Sequence, residues 1–148
     1  MRFLGNIEAK TDTKGRAFLP AQFRKVLAAS GESTLVLRKD VFESLLVLYP
    51  VSAWDELVDT MRRKLSRWDR RQQMAYRTFV SNVAELTIDA SGRILIPRGF
   101  LDMAGINQSI RFVGMGDTIE IWPADNMETM DKEDFSSVLE EAMKEEEQ

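Results

Sequence analysis

A nine-residue pattern, D-x-x-G-R-x-x-x-P, occurs twice in this chain: as Asp12-Thr13-Lys14-Gly15-Arg16-Ala17-Phe18-Leu19-Pro20 and, 77 residues later, as Asp89-Ala90-Ser91-Gly92-Arg93-Ile94-Leu95-Ile96-Pro97. A second shared block follows each occurrence, Leu46 to Pro50 in the first half and Ile119 to Pro123 in the second. Two copies of one unit, each of about 45 residues, are the simplest interpretation. A unit of that size does not enclose a core alone, so we expect the copies to pack together.

Each copy predicts the element order β-β-α-β-β. In the first copy, the alternating residues 7–11 and the apolar residues after Arg16 predict a β-hairpin with the Asp-x-x-Gly-Arg turn at its tip. Pro20 is typical of the start of a helix, which we expect to stop near Gly31. A second hairpin is predicted between residues 34 and 49, and the second copy repeats these signals in the same order.

Four segments follow from the repeat and from the distribution of charge. Residues 1–55 form the first repeat, 56–80 a helical linker, 81–127 the second repeat and 128–148 an acidic C-terminal helix or tail. The net charge is −4, but the linker carries seven basic and three acidic residues, whereas the C-terminal segment carries two basic and nine acidic residues. We expect the basic linker to pair with acidic residues of another helix or of another subunit, and the alternative is a helix that follows the phosphates of a nucleic acid.

The two segments outside the repeats carry helical signals. Ser52 with Asp55 resembles a capping box for the linker helix, and Asp125 with Glu128 repeats that pattern before the C-terminal helix. The C-terminal helix is amphipathic, and we expect it to dock on the linker helix. The apolar linker residues that share one helical face are predicted to be core residues rather than platforms for base stacking: Trp54, Leu57, Val58, Met61, Leu65 and Trp68.

The composition excludes several classes of function. Without Cys or His among its 148 residues, the chain has no disulfide, no Cys or His metal ligand, and no imidazole or thiol for catalysis. The first residues lack the apolar region of a signal peptide, and no apolar run approaches the roughly 20 residues of a membrane helix. We expect a cytoplasmic protein that is not an enzyme, with no cofactor, no metal, no membrane partner and no small-molecule substrate.

The first turn combines residues that suit contact with nucleic acid. An arginine on a rigid two-stranded ribbon can grip guanine through two hydrogen bonds in the major groove, and a neighbouring lysine suits a phosphate. Arg16 and Lys14 are therefore candidate DNA-binding residues, flanked by Thr13 and Lys10. The alternative is that Arg16 pairs with Asp12 across the turn, and the two interpretations are compatible, since an aspartate can orient an arginine that reads bases.

The second turn is a weaker candidate. Arg93 repeats Arg16, but Ser91 replaces Lys14 and the surrounding segment is acidic, so Arg93 either contacts DNA or only pairs with Asp89. In both turns the aspartate, Asp12 or Asp89, is expected to orient the loop together with its glycine. These two loop glycines are Gly15 and Gly92.

Two copies of an aspartate turn also suggest the carboxylate pair of an acid protease, in which two carboxylates share one proton. Here a guanidinium follows each turn directly. A neighbouring arginine keeps an aspartate ionised, which argues against a shared proton and against this reaction.

The duplicated motif resembles that of the MraZ family of bacterial transcriptional regulators, in the AbrB-type swapped-hairpin superfamily. The resemblance covers about residues 1–127 and rests on both Asp-x-x-Gly-Arg turns with their following apolar strands and prolines. The second copy departs from the first in one respect. Leu101, followed by Asp102, stands where the first copy has the basic residue Arg24, which argues against equal DNA contact by the two loops.

The resemblance implies a fold and a function. The fold would be α+β, mainly β, with the duplicated ββαββ units interlocked in a pseudo-symmetric swapped-hairpin β-barrel flanked by helices. Subunits would assemble into a ring-like homo-oligomer that displays many DxxxR loops. The ring would bind tandem repeats in double-stranded promoter DNA and repress the division and cell-wall gene cluster, including its own gene, in the cytoplasm and nucleoid.

A second hypothesis belongs to a different class. The chain would be an oligomeric protein-interaction module, an antitoxin-like adaptor, whose acidic tail binds a protein partner. Deleting residues 128–148 would then abolish partner binding without affecting DNA binding.

Overall fold

The computed structural model describes residues 2–147, with side chains described for residues 2–144, so Met1 of the first predicted segment and Gln148 of the last lie outside the described residues. Eight strands and five helices make up this part of the chain. In order they are β1 (Asn6–Lys10), β2 (Arg16–Phe18), α1 (Ala21–Ala29), β3 (Thr34–Lys39), β4 (Leu46–Pro50), α2 (Val51–Lys64), α3 (Arg70–Ser81), β5 (Val83–Thr87), β6 (Arg93–Leu95), α4 (Arg98–Ala104), β7 (Ser109–Gly114), β8 (Ile119–Pro123) and α5 (Lys132–Glu147). The predicted order β-β-α-β-β is confirmed in both copies.

The strands form a six-stranded antiparallel sheet and a separate two-stranded ribbon. The large sheet has the order β1-β7-β8-β4-β3-β5, and the ribbon consists of β2 and β6. If β1 to β4 are exchanged with their counterparts β5 to β8, the order of the large sheet reads the same from its other edge, and the ribbon still consists of β2 and β6. The architecture is therefore α+β with two interlocked copies of one unit, as the resemblance implied, and its strands are organised as two hydrogen-bonded sheets.

Strand exchange between the copies corrects one local prediction. Residues 7–11 and the strand after Arg16 do not form a hairpin, because β1 pairs with β7 and β2 pairs with β6 of the other copy. Strand β5 likewise pairs with β3 rather than with β6. Each Asp-x-x-Gly-Arg turn thus carries the chain from the large sheet to the ribbon. The predicted hairpins β3–β4 and β7–β8 are confirmed.

The core lies between the ribbon and the large sheet. Alternate ribbon residues face inward. Burying an isoleucine side chain such as that of Ile94 contributes roughly 1.5–3 kcal/mol. Both copies contribute equally to this layer, as expected of units that are each too small to enclose a core. The buried ribbon residues and the largest buried residues around them are Ala17, Leu19, Ile94, Ile96, Phe3, Phe23, Leu35, Leu37, Leu46, Leu48, Phe112, Ile119 and Ile121.

The linker region contains two helices, and the capping box predicted at the start of the first one is wrong. Pro50 ends β4 and is also the N-cap of α2, so Ser52 lies inside the first turn instead of capping it. The backbone N–H and the hydroxyl of Ser52 both donate to the carboxylate of Glu32, each at 2.9 Å. The rigid φ of proline, −54° here, allows the strand to turn directly into the helix.

Of the two linker tryptophans, only one is packed. Trp54 stacks on Phe79 with 5.4 Å between the ring centroids and meets Tyr49 edge-on at 5.2 Å. Trp68 is 97% exposed, so its predicted place in the core is wrong. Helix α2 ends at Lys64, where the chain becomes extended, and Trp68 falls in the turn before α3 instead of on the helical face.

The C-terminal helix also starts later than predicted. Residues 124–131 are not helical, and the carboxylate of Asp131, rather than that of Asp125, accepts an N–H of the first turn, from Asp134 at 2.9 Å. Residues 132–144 are exposed throughout, so the predicted docking of α5 on the linker of the same chain is wrong. Among the helices of residues 2–147, none is long and apolar enough to cross a membrane.

Candidate nucleic-acid interface

The first loop is organised by the carboxylate of Asp12. Its Oδ1 accepts the backbone N–H groups of Lys14 and Arg16, both at 2.9 Å, and its Oδ2 accepts Nε–H of Arg16 at 2.7 Å. Backbone bonds close the turn, from Asp12 N–H to Arg16 O at 2.8 Å and from Gly15 N–H to Asp12 O at 3.0 Å. One aspartate thereby fixes both the turn and the direction of the arginine.

The second loop repeats this geometry. Oδ1 of Asp89 accepts the N–H groups of Ser91 and Arg93 at 2.9 Å, and Oδ2 accepts Nε–H of Arg93 at 3.0 Å. The backbone bonds also recur, from Asp89 N–H to Arg93 O at 2.9 Å and from Gly92 N–H to Asp89 O at 3.0 Å. The two loops have the same conformation although they differ at both residues between Asp and Gly.

Both aspartates are held in the ionised form. The backbone N–H of Arg16 is the main cause that lowers the pKa of Asp12, and its guanidinium adds to the effect. The pKa of Asp89 is lowered in the same way by Arg93. Carboxylates with these partners are poor candidates for sharing a proton, which agrees with the argument against an acid-protease pair.

The arginines keep their base-reading atoms available. Arg16 and Arg93 each use only Nε for the bond to their aspartate, and their terminal NH2 groups make no hydrogen bond to residues 2–144. The predicted aspartate–arginine pairs are thus present, and they leave the donors that a bidentate contact with guanine requires. Pairing and base contact are geometrically compatible.

The ribbon places both arginines on one outward face. Arg16 lies opposite Leu95 and Arg93 opposite Phe18, so the arginines are diagonal neighbours, about 7–8 Å apart at Cα. Between them Phe18 and Leu95 are 59% and 52% exposed, and the guanidinium carbon of Arg93 is 5.8 Å from the Phe18 ring centroid. Sequence reasoning missed these two apolar residues, which the alternation with buried Ala17 could have revealed.

The other predicted site residues cluster around the first loop. Lys14 and Thr13 are exposed in the turn itself, and Lys10 is exposed at the end of β1. Gly15 has φ +89° and Gly92 has φ +90°, a backbone conformation that L side chains rarely adopt. The structure therefore brings the predicted loop residues together in two groups, one at each end of the ribbon.

A further residue near the second loop was not predicted. Arg24, on α1 of the first copy, packs against Gly92 of the second copy. Its guanidinium Nε donates to the backbone oxygen of Leu19 at 3.0 Å. In the sequence, Arg24 follows the first loop and was therefore associated with it. The exchange of strands instead brings α1 next to the second loop.

The basic residues of the linker lie on α2, on α3 and in the turn between these helices. Arg62 lies over the ring of Tyr76 at 4.4 Å and so joins α2 to α3. The linker forms no ion pair with the part of the acidic C-terminal segment whose side chains are described, residues 128–144, so the predicted pairing is absent there. The remaining basic residues of the linker are exposed: Arg63, Lys64, Arg67, Arg70, Arg71 and Arg77.

Comparison with known proteins identifies the family. The family model described as "MraZ protein, putative antitoxin-like" matches residues 79–146. A protein of Phocaeicola vulgatus named Transcriptional regulator MraZ is 53% identical over 97% of this chain and 94% of its own length. Proteins of the same name from Bacteroides fragilis and Christiangramia forsetii are 49% and 32% identical, over 99% and 97% of this chain and 94% of each relative. Together with the duplicated loops, these matches show that the chain belongs to the MraZ family.

Proposed function

We propose that this protein is a DNA-binding transcriptional regulator that inserts the outer face of its ribbon into the major groove. One observation carries the proposal: Arg16 and Arg93 lie on one exposed two-stranded face, each oriented by an aspartate and each with its terminal NH2 groups available. A two-stranded ribbon fits the major groove, and a bidentate arginine–guanine contact discriminates bases by about 1–3 kcal/mol. The name shared by the relatives, transcriptional regulator, agrees with this function.

The surrounding residues have supporting roles in this proposal. Lys14, Thr13 and Lys10 bind phosphates beside the first loop, where all three are exposed. Asp12 and Asp89 orient the arginines. Phe18 and Leu95 lie between the arginines and offer apolar contact to thymine methyl groups.

We further propose that the regulator acts as a ring-like homo-oligomer on tandem promoter repeats, in the cytoplasm and nucleoid. A single ribbon on a chain of net charge −4 binds DNA weakly, whereas several ribbons at fixed spacing gain affinity through effective concentration. The proposed target is the promoter of the division and cell-wall gene cluster, including the protein's own gene, and the proposed effect is repression.

Subunit contacts would involve the surfaces that one chain leaves uncovered. Helix α5 exposes an apolar side within an acidic segment, and the linker exposes basic residues together with Trp68 and Met74. The two surfaces are complementary in charge, so contact between α5 of one subunit and the linker of another is the proposed arrangement. The apolar residues exposed on α5 are Phe135, Val138, Leu139 and Met143.

The test of DNA recognition is fluorescence anisotropy with the duplex upstream of the protein's own gene and a scrambled duplex, each at two salt concentrations. The wild type should prefer the upstream duplex and should bind less tightly at the higher salt. Arg16→Ala should lose this preference. Arg111→Ala is the matched control, because Arg111 is also a strand arginine beside a carboxylate, with the same 34% side-chain exposure as Arg16. Full affinity in Arg16→Ala would refute the role given to Arg16.

A second candidate function rests on α5 alone. Its exposed apolar side and acidic surroundings would suit a protein partner with a basic, apolar groove, as an antitoxin-like adaptor would need. A chain truncated after Asp131 separates the candidates. The adaptor function predicts loss of partner capture with DNA binding retained, whereas the assembly function predicts smaller oligomers by light scattering and weaker binding to tandem sites.

A further inference from the structure

The second loop receives a side chain from the opposite copy. A Cβ added to Gly92 would lie 2.8 Å from the guanidinium carbon of Arg24 and 3.0 Å from its Cδ. Two hydrogen bonds fix this arrangement: Arg24 Nε donates to Leu19 O at 3.0 Å, and Leu19 N–H donates to Gly92 O at 3.0 Å. The guanidinium is therefore held at the backbone of the second loop.

The equivalent place beside the first loop holds an uncharged residue. A Cβ added to Gly15 would lie 3.5 Å from Cδ1 of Leu101, the residue that occupies the position of Arg24 in the second copy. The backbone contact is the same, since Ile96 N–H donates to Gly15 O at 2.9 Å. The pseudo-symmetry of the backbone is thus preserved, while the side chain next to the glycine changes from an arginine to a leucine.

The side chain beside each glycine offsets a difference in charge between the two loop sequences. The first loop carries its own lysine, Lys14, and has Leu101 beside it. The second loop has Ser91 at the position of Lys14 and has Arg24 beside it. Each end of the ribbon therefore presents one aspartate-bound arginine and one further cation, although the sequence of the second loop contains only one.

We propose that Arg24 binds a DNA backbone phosphate next to the second loop and takes the part that Lys14 has at the first. Its side chain is half-buried, and it makes no ion pair with any carboxylate side chain of residues 2–144, so its charge is available to an anion. The second half of the DNA-binding face is then a composite site, built by α1 of one copy and the loop of the other. This inference rests on the proposed function.

The experiment compares three single variants on the full-length protein. Arg24→Met keeps the apolar part of the side chain and removes the charge, and Arg24→Lys keeps the charge. Lys25→Met is the matched control, because it removes the same charge from an exposed neighbour on α1. The affinity for the upstream duplex is measured by anisotropy over a series of salt concentrations, and thermal unfolding confirms the fold.

A phosphate contact by Arg24 has a defined signature. Arg24→Met should weaken binding about tenfold, the scale of one lost charged hydrogen bond. It should also reduce the slope of log affinity against log salt by about one for every second loop engaged. Lys25→Met should change neither quantity, and Arg24→Lys should keep the wild-type slope.

A rescue variant separates charge from structure. Adding Ser91→Lys to Arg24→Met returns a cation to the loop, as in the first copy, and should restore the salt slope. An unchanged slope in a folded Arg24→Met protein would overturn the proposal. If Arg24→Met is unfolded, Arg24→Gln replaces it, because the amide can still donate to Leu19 O. Loss of binding in Arg16→Ala together with full binding in the Arg24 variants refutes this inference alone, whereas binding that survives Arg16→Ala and Arg93→Ala refutes the proposed function.

Discussion

The two Asp-x-x-Gly-Arg loops have nearly identical hydrogen bonds and different surroundings. In each loop one carboxylate accepts two backbone N–H groups and the Nε–H of its arginine. Around the first loop, Gly15 faces the backbone oxygen of Ile96 and the side chain of Leu101; around the second, Gly92 faces the guanidinium of Arg24. Duplication has kept the internal geometry of the loop, and the neighbouring helix accounts for the difference.

The comparison shows where a duplicated fold can diverge. The hydrogen bonds within a loop are local, so any change to Asp12 or Asp89 would alter the direction of the arginine. The contact from the helix comes from the other copy through the exchanged strands, and it can change without altering the loop conformation. Arg24 and Leu101 occupy equivalent positions and have different chemical properties.

The largest difference between the loops should appear in stability when their glycines are replaced. Gly15→Ala should cost about 3 kcal/mol, because positive φ costs roughly 1–2 kcal/mol and the new Cβ would also displace the backbone of Ile96. Gly92→Ala should cost less, about 2 kcal/mol, because the end of Arg24 can move away from the new Cβ with the loss of its hydrogen bond to Leu19 O, a smaller change than a shift of backbone. Urea unfolding of both variants measures the difference.

Gly99→Ala is the control for this comparison. Gly99 lies in α4, and an added Cβ would have no described atom within 4 Å apart from its chain neighbours and the backbone of its own helix, so alanine should be neutral or stabilise the protein by up to about 1 kcal/mol. Equal losses of stability for Gly15→Ala and Gly92→Ala would contradict the inference that backbone atoms crowd Gly15 and a side chain crowds Gly92.

The next effect concerns DNA affinity. If both ends of the ribbon read bases, Arg16→Ala and Arg93→Ala should each reduce specific binding by about 1–3 kcal/mol, and by amounts within about threefold of each other in affinity. The equality is expected because each end carries a second cation. Anisotropy with the upstream duplex makes the measurement, and near wild-type binding by Arg93→Ala alone would mean that the second loop does not contact DNA.

The repeat, both turns, the helix starts at the prolines and the hairpins β3–β4 and β7–β8 were predictable from the sequence. These features depend on short-range signals such as Asp12 and Gly15 in a turn or Pro20 before a helix. The partner of β2 was not predictable from its residues, because alternation shows which face is buried and does not show which strand lies alongside. The family resemblance supplied the strand exchange that the local pattern lacked.

Other errors share a physical cause. Trp68 was placed in the core because the apolar spacing continues past Lys64, yet the helix ends there and the chain turns. Arg24 was assigned to the first loop because it follows that loop in sequence. Both cases depend on how the chain continues in space after an element ends, which spacing along one helix does not encode.

The smallest effect concerns the pH dependence of stability, and here the two loops should agree. The pKa values of Asp12 and Asp89 are lowered from 3.8, chiefly by the backbone N–H groups of Arg16 and Arg93. A carboxylate with a lowered pKa stabilises the fold at pH above its unfolded value, and the contribution disappears as the pH falls through the folded value. At neutral pH both contributions are therefore fully present.

Asp12→Asn and Asp89→Asn remove this dependence, because the amide keeps one oxygen for the backbone N–H groups and loses the charge. Each variant should be slightly less stable than the wild type at pH 7, and the difference should shrink as the pH falls below about 4. Urea midpoints at pH 7, 4.5 and 3.5 measure it. A difference that grew toward acid pH would show that the carboxylates are not the stabilising form. A difference confined to Asp12→Asn would show that only the first loop depends on its ionised aspartate, although the hydrogen bonds of the two loops match.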